Sequence, residues 1–231
     1  MIRHTLLAAC AVLLVAAAPP AHDPLLLNDS NLDPALLLPP APASGSKLER
    51  EELEQLHRID ATRTDDEVSH ARTDDAVKDV TIFAGAVGPA FDLARLPKTA
   101  ALFKIVRAEE KAAADRAKSH FLRNRPWVGD ASLHPCSTKD EPGSSYPSGH
   151  TTMSYAMGAI LARLIPSKAP AIMTRAAGYA HSRLICEVHF PSDVIAGQAY
   201  GMMVAERLME QPAFRAYYEA AAAELRGAGI S

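Results

Sequence analysis

The run from Pro97 to Leu122, "PKTAALFKIVRAEEKAAADRAKSHFL", contains no Gly and no Pro after its first turn. It is built mainly from Ala, Leu, Lys, Glu and Arg, the residues that lose least on entering a helix. Pro97 suits the first helical position. A chain carrying such a segment is committed to long helices, and the remainder agrees. Leu48, Leu53, Leu56 and Ile59 fall on one side of a helix that begins at Lys47, with Ser46 as its cap. Further helices are expected from Thr64 or Asp65 to about Val77, from Ser148 to Leu164, Ala169 to Leu184, Pro191 to Glu210 and Pro212 to Leu225. "DVTIFAGAVGPAFD" holds two glycines and a proline and reads as short helical turns. Residues 124–147, punctuated by Pro126, Pro135, Pro142 and Gly143, read as irregular. There is no repeat, convincing strand pair or interdomain linker. The expected fold class is all-α, a compact helical bundle in one domain over residues 47–231.

Composition excludes several functions. With 48% hydrophobic and 22% charged residues the chain is an ordinary globular one, and a formal net charge of −3 carries no nucleic-acid footprint. Residues 1–21 read as a secretory signal. Arg3 supplies the positive start, "TLLAACAVLLVAAA" is too short to span a bilayer, and Ala18 or Ala21 ends the segment, with Ala21 favoured because Pro19 follows Ala18. "LAAC" has the look of a lipoprotein box, but too little apolar sequence precedes Cys10. The expected location is therefore the periplasm or the exterior. Residues 22–46 form a Pro-rich leader expected to lie extended on the body with its leucines packed down. Removing Cys10 leaves Cys136 and Cys186. An even pair in an exported chain argues for a disulfide, with two free buried thiols as the alternative.

Three polar clusters sit at expected helix ends. "KSHFLRNRP" carries Lys118, Arg123 and Arg125; Lys118 and Arg125 would share a helix face, although Pro126 disfavours α geometry at Arg125. "SSYPSGHTT" puts Ser148, Gly149 and His150 at a helix start, where free N–H groups and the dipole suit an anion. "SRLICEVHFPSD" supplies Arg183, a planar fork for phosphate oxygens, and His189 four residues before Asp193. A carboxylate at that spacing can hold one ring nitrogen and leave the other as a lone-pair nucleophile. Taken singly, each cluster has a structural explanation: cations at a helix C-terminus, a capped helix with an exposed His, and a core His beside an ion pair.

Together they read Lys118-x6-Arg125-Pro126, Pro147-Ser148-Gly149-His150 and Ser182-Arg183-x5-His189-x3-Asp193. This resembles the three-part signature of the phosphatidic acid phosphatase type 2 superfamily, which includes the vanadium haloperoxidases. The leader, "SYPSGHT", "SRLIC" and the two cysteines resemble the bacterial class A non-specific acid phosphatases. Two positions depart from that class: Ser144, where a Gly is usual, and Phe190, where relatives often carry Trp and where an altered pocket wall is expected.

The resemblance implies a broad-specificity hydrolase of small phosphate monoesters that works without metal or other cofactor and is inhibited by vanadate. In it His189 is the nucleophile, Asp193 orients it, and His150 is general acid then base. Lys118, Arg125, Arg183, Ser148 and the Gly149 N–H hold the phosphate. Activity at mildly acidic pH is expected, since His150 must begin protonated and His189 neutral. Homo-oligomerisation is in keeping with the resemblance, whereas a membrane span and a nucleic-acid partner are not expected. A non-catalytic phosphate-binding protein is the main alternative, and a vanadate-dependent haloperoxidase a lesser one. Leu184, Ile185 and Val188 should anchor the third segment in the core, and Glu187 should face solvent.

Overall fold

The computed structural model describes residues 26–231; the expected signal peptide lies outside them. Ten α-helices are described: α1 Pro34–Leu37, α2 Lys47–Asp60, α3 Asp65–Ala76, α4 Ala84–Val87, α5 Pro97–Phe121, α6 Pro126–Gly129, α7 Gly149–Leu164, α8 Ala169–Ile185, α9 Pro191–Glu210 and α10 Pro212–Gly227. Two 3₁₀ turns, Val80–Phe83 and Pro166–Lys168, join neighbours, and no strand occurs among the described residues. The fold is all-α, as expected.

Local chemistry sets the boundaries. Ser46 Oγ accepts from the Glu49 N–H at 3.2 Å, and Thr64 and Glu67 form a reciprocal capping box. Pro97, Pro191 and Pro212 open α5, α9 and α10. The long helix α5 ends when Leu122 turns left-handed at φ 49°, and its N–H bonds to the Lys118 carbonyl. Two expectations need correcting. The leader contains one helical turn, α1, because Asp33 caps it and Pro34 starts it. The stretch after Arg125 likewise holds the single turn α6, opened by Pro126.

Helix α7 is the centre of the bundle, packed against α5, α8 and α9. Nearly every side of it is buried, from Thr151 to Leu164. Its contact with α9 is close because α9 presents Gly197 and Gly201. A Cβ on Gly197 would sit 2.7 Å from the Ser148 carbonyl oxygen, and one on Gly201 would sit 2.5 Å from that of Thr152. The leader closes one side. Leu27 and Leu32 are fully buried, and Glu109 of α5 accepts from the backbone N–H groups of Leu26 and Leu27 at 2.7 and 3.1 Å. Leu48 does not follow its expected face: it is exposed, while Leu56 is buried and Leu53 and Ile59 are partly so.

Cys136 and Cys186 form a disulfide, reinforced by a 3.0 Å bond from the Cys136 N–H to the Cys186 carbonyl. Leu184, Ile185 and Val188 are buried as expected. Glu187 is the exception to the reading of this segment. It is wholly buried, not solvent-facing, because the backbone turns left-handed there (φ 52°) and directs the carboxylate inward. It accepts from the His134 N–H at 2.6 Å and lies 3.2 Å from Arg63 Nη2. Burial pushes its carboxyl up, against the pull of Arg63. Arg63 also donates to the Ile185 and His134 carbonyls, so this ion pair buckles the disulfide loops onto α2.

Candidate active site

A cavity of about 140 Å³ opens between α5 and the start of α7; its lining includes Lys118, Arg125, Gly149 and His150, whereas Ser148, Arg183, His189 and Asp193 are buried behind that lining. His189 stands one residue before the start of α9 and is buried. Its Nδ1 lies 3.3 Å from Asp193 Oδ2, and its Nε2 lies 3.1 Å from Arg125 Nη1. A carboxylate can only accept and a guanidinium can only donate, so the network assigns the ring proton to Nδ1 and the lone pair to Nε2. Burial, then the cations Arg125, Lys118 and Arg183, hold this imidazole well below its ordinary pKa. The neutral ring is favoured, with its Nε2 lone pair turned to the Arg125 guanidinium.

Asp193 sits on the first turn of α9 and is held from several directions. The Phe190 N–H donates to Oδ2 at 2.9 Å, Ser145 Oγ to the same oxygen at 2.5 Å, and Arg123 Nη1 to Oδ1 at 2.6 Å. Its carbonyl accepts from the Ser148 N–H at 3.0 Å, which ties the His189–Asp193 segment to the start of α7.

Three segments bring cations near His189 and His150: Lys118 and Arg125 line the cavity, and Arg183 is buried behind it. Lys118 comes from the last turn of α5 and donates to the Ser144 carbonyl at 2.5 Å. Burial and the neighbouring Arg125 bring its ammonium down to about 8. Arg125 is extended, as Pro126 requires, and donates to the Val188 carbonyl at 2.8 Å and to Ser144 Oγ at 3.3 Å. Helix α5 has ended before it, so the two cations converge without sharing a helix face. Arg183, in the last turn of α8, is almost completely buried. Its Nη1 lies 2.9 Å from Asp75 Oδ1, but too far out of line for a hydrogen bond, so Nε and Nη1 have no aligned acceptor among the described residues. Buried guanidinium donors without acceptors are costly unless an anion completes them.

Ser148 caps α7, accepting from the Thr151 N–H at 3.4 Å, and Gly149 opens the helix; a Cβ there would meet the Lys118 and Ala114 side chains. His150 follows on the first turn; its Nε2 lies 3.3 Å from Asp75 Oδ1. Burial, then Arg183, Lys78 and His189, push its imidazole well below the ordinary value. The eight residues singled out in the sequence thus gather in one place.

Comparison with known proteins places the chain in a family. Residues 101–216 match the family model described as the PAP2 superfamily. The chain belongs to that superfamily. It is 35% identical over 211 residues to the acid phosphatase of Zymomonas mobilis subsp. mobilis, covering 86% of this chain and 78% of that one. It is 29% identical over 224 residues to the non-specific acid phosphatase of Providencia stuartii (87% and 86% covered). With the protein of the same description from Salmonella typhi it shares 28% over 208 residues (87% and 81%).

Several residues of this PAP2 site escaped sequence reasoning. Arg123 lies in the first cluster but touches Asp193, Ser192 and Glu52 and stacks 3.9 Å over the Phe190 ring. Phe190 therefore packs as a platform for Arg123 and, like His189 itself, stands outside the cavity lining. Asp75, at the end of α3, meets both Arg183 and His150. Asp140 pairs with Arg125 at 3.0 Å. Ser144 and Ser145 lie within the second cluster, where the sequence marked Ser144 only as a departure from the class pattern and gave Ser145 no role. For Asp75, far away in sequence, there was no signal.

Proposed function

We propose that the chain is a phosphoric monoester hydrolase of the acid phosphatase type, acting through a phosphohistidine on His189. The observation that carries this is His189, its Nδ1 held by Asp193 and its Nε2 facing Arg125, with Lys118 and Arg183 close by and unpartnered donors on both arginines. Nε2 attacks phosphorus in line, the bond to the leaving oxygen breaks, and that oxygen takes a proton from His150. His150 then takes a proton from water, the resulting hydroxide oxygen bonds to phosphorus, and the P–N bond returns its electrons to Nε2. Asp193 stabilises the charge that His189 carries between the steps. Lys118, Arg125, Arg183, Ser148 and the Gly149 N–H bind the phosphate oxygens, and such positioning and charge stabilisation supply most of the rate in phosphoryl transfer.

Both imidazoles are held low, which bears on the acid optimum. Burial, then Arg183 and Lys78, disfavour the charged form of His150 in the free protein, against the expectation that it begins protonated. The proton for the leaving group then arrives with the substrate, as the monoanion of a phosphate ester whose second pKa is about 6. Inside the complex the bound phosphate's charge favours the imidazolium and moves the proton to His150.

The disulfide fits an oxidising compartment, and with the N-terminal signal it supports export to the periplasm or beyond. Among the described residues no helix is long and apolar enough to cross a membrane. The deciding experiment measures p-nitrophenyl phosphate turnover in chelator-treated buffer, with acid-quench trapping of the phosphoenzyme in wild type and His189→Ala. Turnover with a labelled intermediate that disappears in the variant is expected, together with inhibition by vanadate. A phosphoenzyme that persists in His189→Ala overturns the assignment, and binding of phosphate without turnover would make the protein a carrier.

A further inference from the structure

Beyond the phosphate cations, the cavity has a second positive end. Helix α5 turns a stripe towards it: Arg107, Lys111, Ala114 and Lys118, at spacings of four, three and four residues, all line the same space. Lys78 joins them from the segment after α3. By helix geometry Lys111 stands about 10 Å along the axis from Lys118. Between them the floor is small, being only Ala114 and Gly149, with Met153 as an apolar wall. A leaving group can lie on that floor while its far end meets the outer cations.

The carboxylates that face these cations leave a positive balance. Asp115 pairs with Lys111 at 2.5 Å, but both side chains are more than half exposed, so water and salt loosen the pair. Glu110 touches Arg107, yet burial pushes its carboxyl up to about 8, so at acidic pH it offers Arg107 a neutral group. Lys78 has no carboxylate partner among the described residues. Asp140, the remaining acid of the lining, is engaged with Arg125 at the inner end.

We propose, building on the phosphatase reading, that Arg107 and Lys111, with Lys78, form an outer anion subsite that selects phosphate monoesters whose leaving group carries a second phosphate. The site would hydrolyse the inner phosphate while the outer one is held near Lys111, so bisphosphorylated compounds of about 10 Å span are the favoured class.

The test compares kcat/KM for hexane-1,6-diol bisphosphate and hexyl phosphate, at pH 5.5 and low salt, in wild type, Arg107→Gln/Lys111→Gln and Lys111→Glu. The last changes an exposed side chain and guards against a folding failure of the first. Wild type should prefer the bisphosphate by roughly five- to tenfold after correction for its two equivalent phosphates, the size expected of two exposed charge pairs. That preference should shrink towards unity in both variants and in about 0.3 M salt. A wild-type ratio near one, or a ratio that survives both variants, overturns the subsite. Failure of wild type to hydrolyse hexyl phosphate and p-nitrophenyl phosphate would instead strike at the phosphatase reading itself.

Discussion

Arg123 offers the most demanding check on how the site is supported. Its guanidinium joins two buried carboxylates: Nη1 donates to Asp193 at 2.6 Å and to Ser192 Oγ at 2.7 Å, and Nη2 to Glu52 at 2.8 Å. All three charged side chains are at least 94% buried. Arg123→Met keeps the apolar stem over Phe190 and leaves two carboxylates facing each other without a cation. Removing one partner from a buried ion pair costs about 3–5 kcal/mol. For a chain of this size that corresponds to a melting temperature lower by roughly 6–20 °C. Because Asp193 keeps its bonds from Phe190 N–H and Ser145, His189 is loosened but not released. A kcat loss of roughly 10- to 100-fold, about 1.4–2.7 kcal/mol, with little change in KM is expected, since Arg123 does not reach the phosphate. Adding Glu52→Gln removes one of the two stranded charges while keeping an acceptor for the Ser192 N–H. It should return about 1–2 kcal/mol of the lost stability. Differential scanning fluorimetry and p-nitrophenyl phosphate kinetics read both effects. An Arg123→Met variant with wild-type melting and wild-type kcat would refute the claim that this arginine holds Asp193.

Other outcomes follow from the same geometry. Lys118 is brought down to about 8, so its charge is present below that pH and lost above it; competitive inhibition by inorganic phosphate should weaken by up to about tenfold per pH unit beyond pH 8. For the histidines, kcat/KM should fall above about pH 6 with the substrate's second ionisation, while the alkaline limb of kcat lies higher because bound phosphate favours the His150 cation. A kcat/KM profile flat to pH 8 contradicts this. Gly201→Ala places a methyl group 2.5 Å from the Thr152 carbonyl oxygen and 2.8 Å from Tyr155 Cβ, both on α7; overpacking of about 1–3 kcal/mol should appear as a lower melting temperature. Cys136→Ser/Cys186→Ser opens a loop of 50 residues' separation and should cost about 4 kcal/mol, read as a melting-point difference that disappears when wild type is reduced.

The helices were legible because their ends are written in short-range chemistry. Pro97, Pro191 and Pro212 start helices, Ser46, Thr64 and Ser148 cap them, and the observed limits differ from the expected ones by only a residue or two. The one-turn helices α1 and α6 were not legible, since four residues give no periodicity to detect. Among the site residues, those in compact motifs could be found and those serving them from elsewhere could not. Asp75 acts because α3 packs on α8, and Glu52 because α2 carries it to the start of α9; neither has a sequence pattern of its own. Glu187 failed for a different reason. A lone charged residue normally faces water even within an apolar segment, and only the left-handed turn and the distant Arg63 make its burial tolerable.

The two carboxylates nearest the phosphate cations make sense together. Arg183 meets Asp75, Arg125 meets Asp140, and both acids lie in more open positions than the arginines they face. An incoming phosphate competes for the same guanidinium groups, and it brings more oxygens in better alignment: Arg183 Nε and Nη1 and Arg125 Nε have donors to spare. The exchange of one anion for another keeps each arginine solvated by negative charge throughout and aims it at the cavity before substrate arrives. It also limits net affinity, because part of what phosphate gains at Arg183 and Arg125 is offset by the loss of Asp75 and Asp140. A hydrolase needs that limit, since its product, inorganic phosphate, has nearly the same charge as its substrate and must leave.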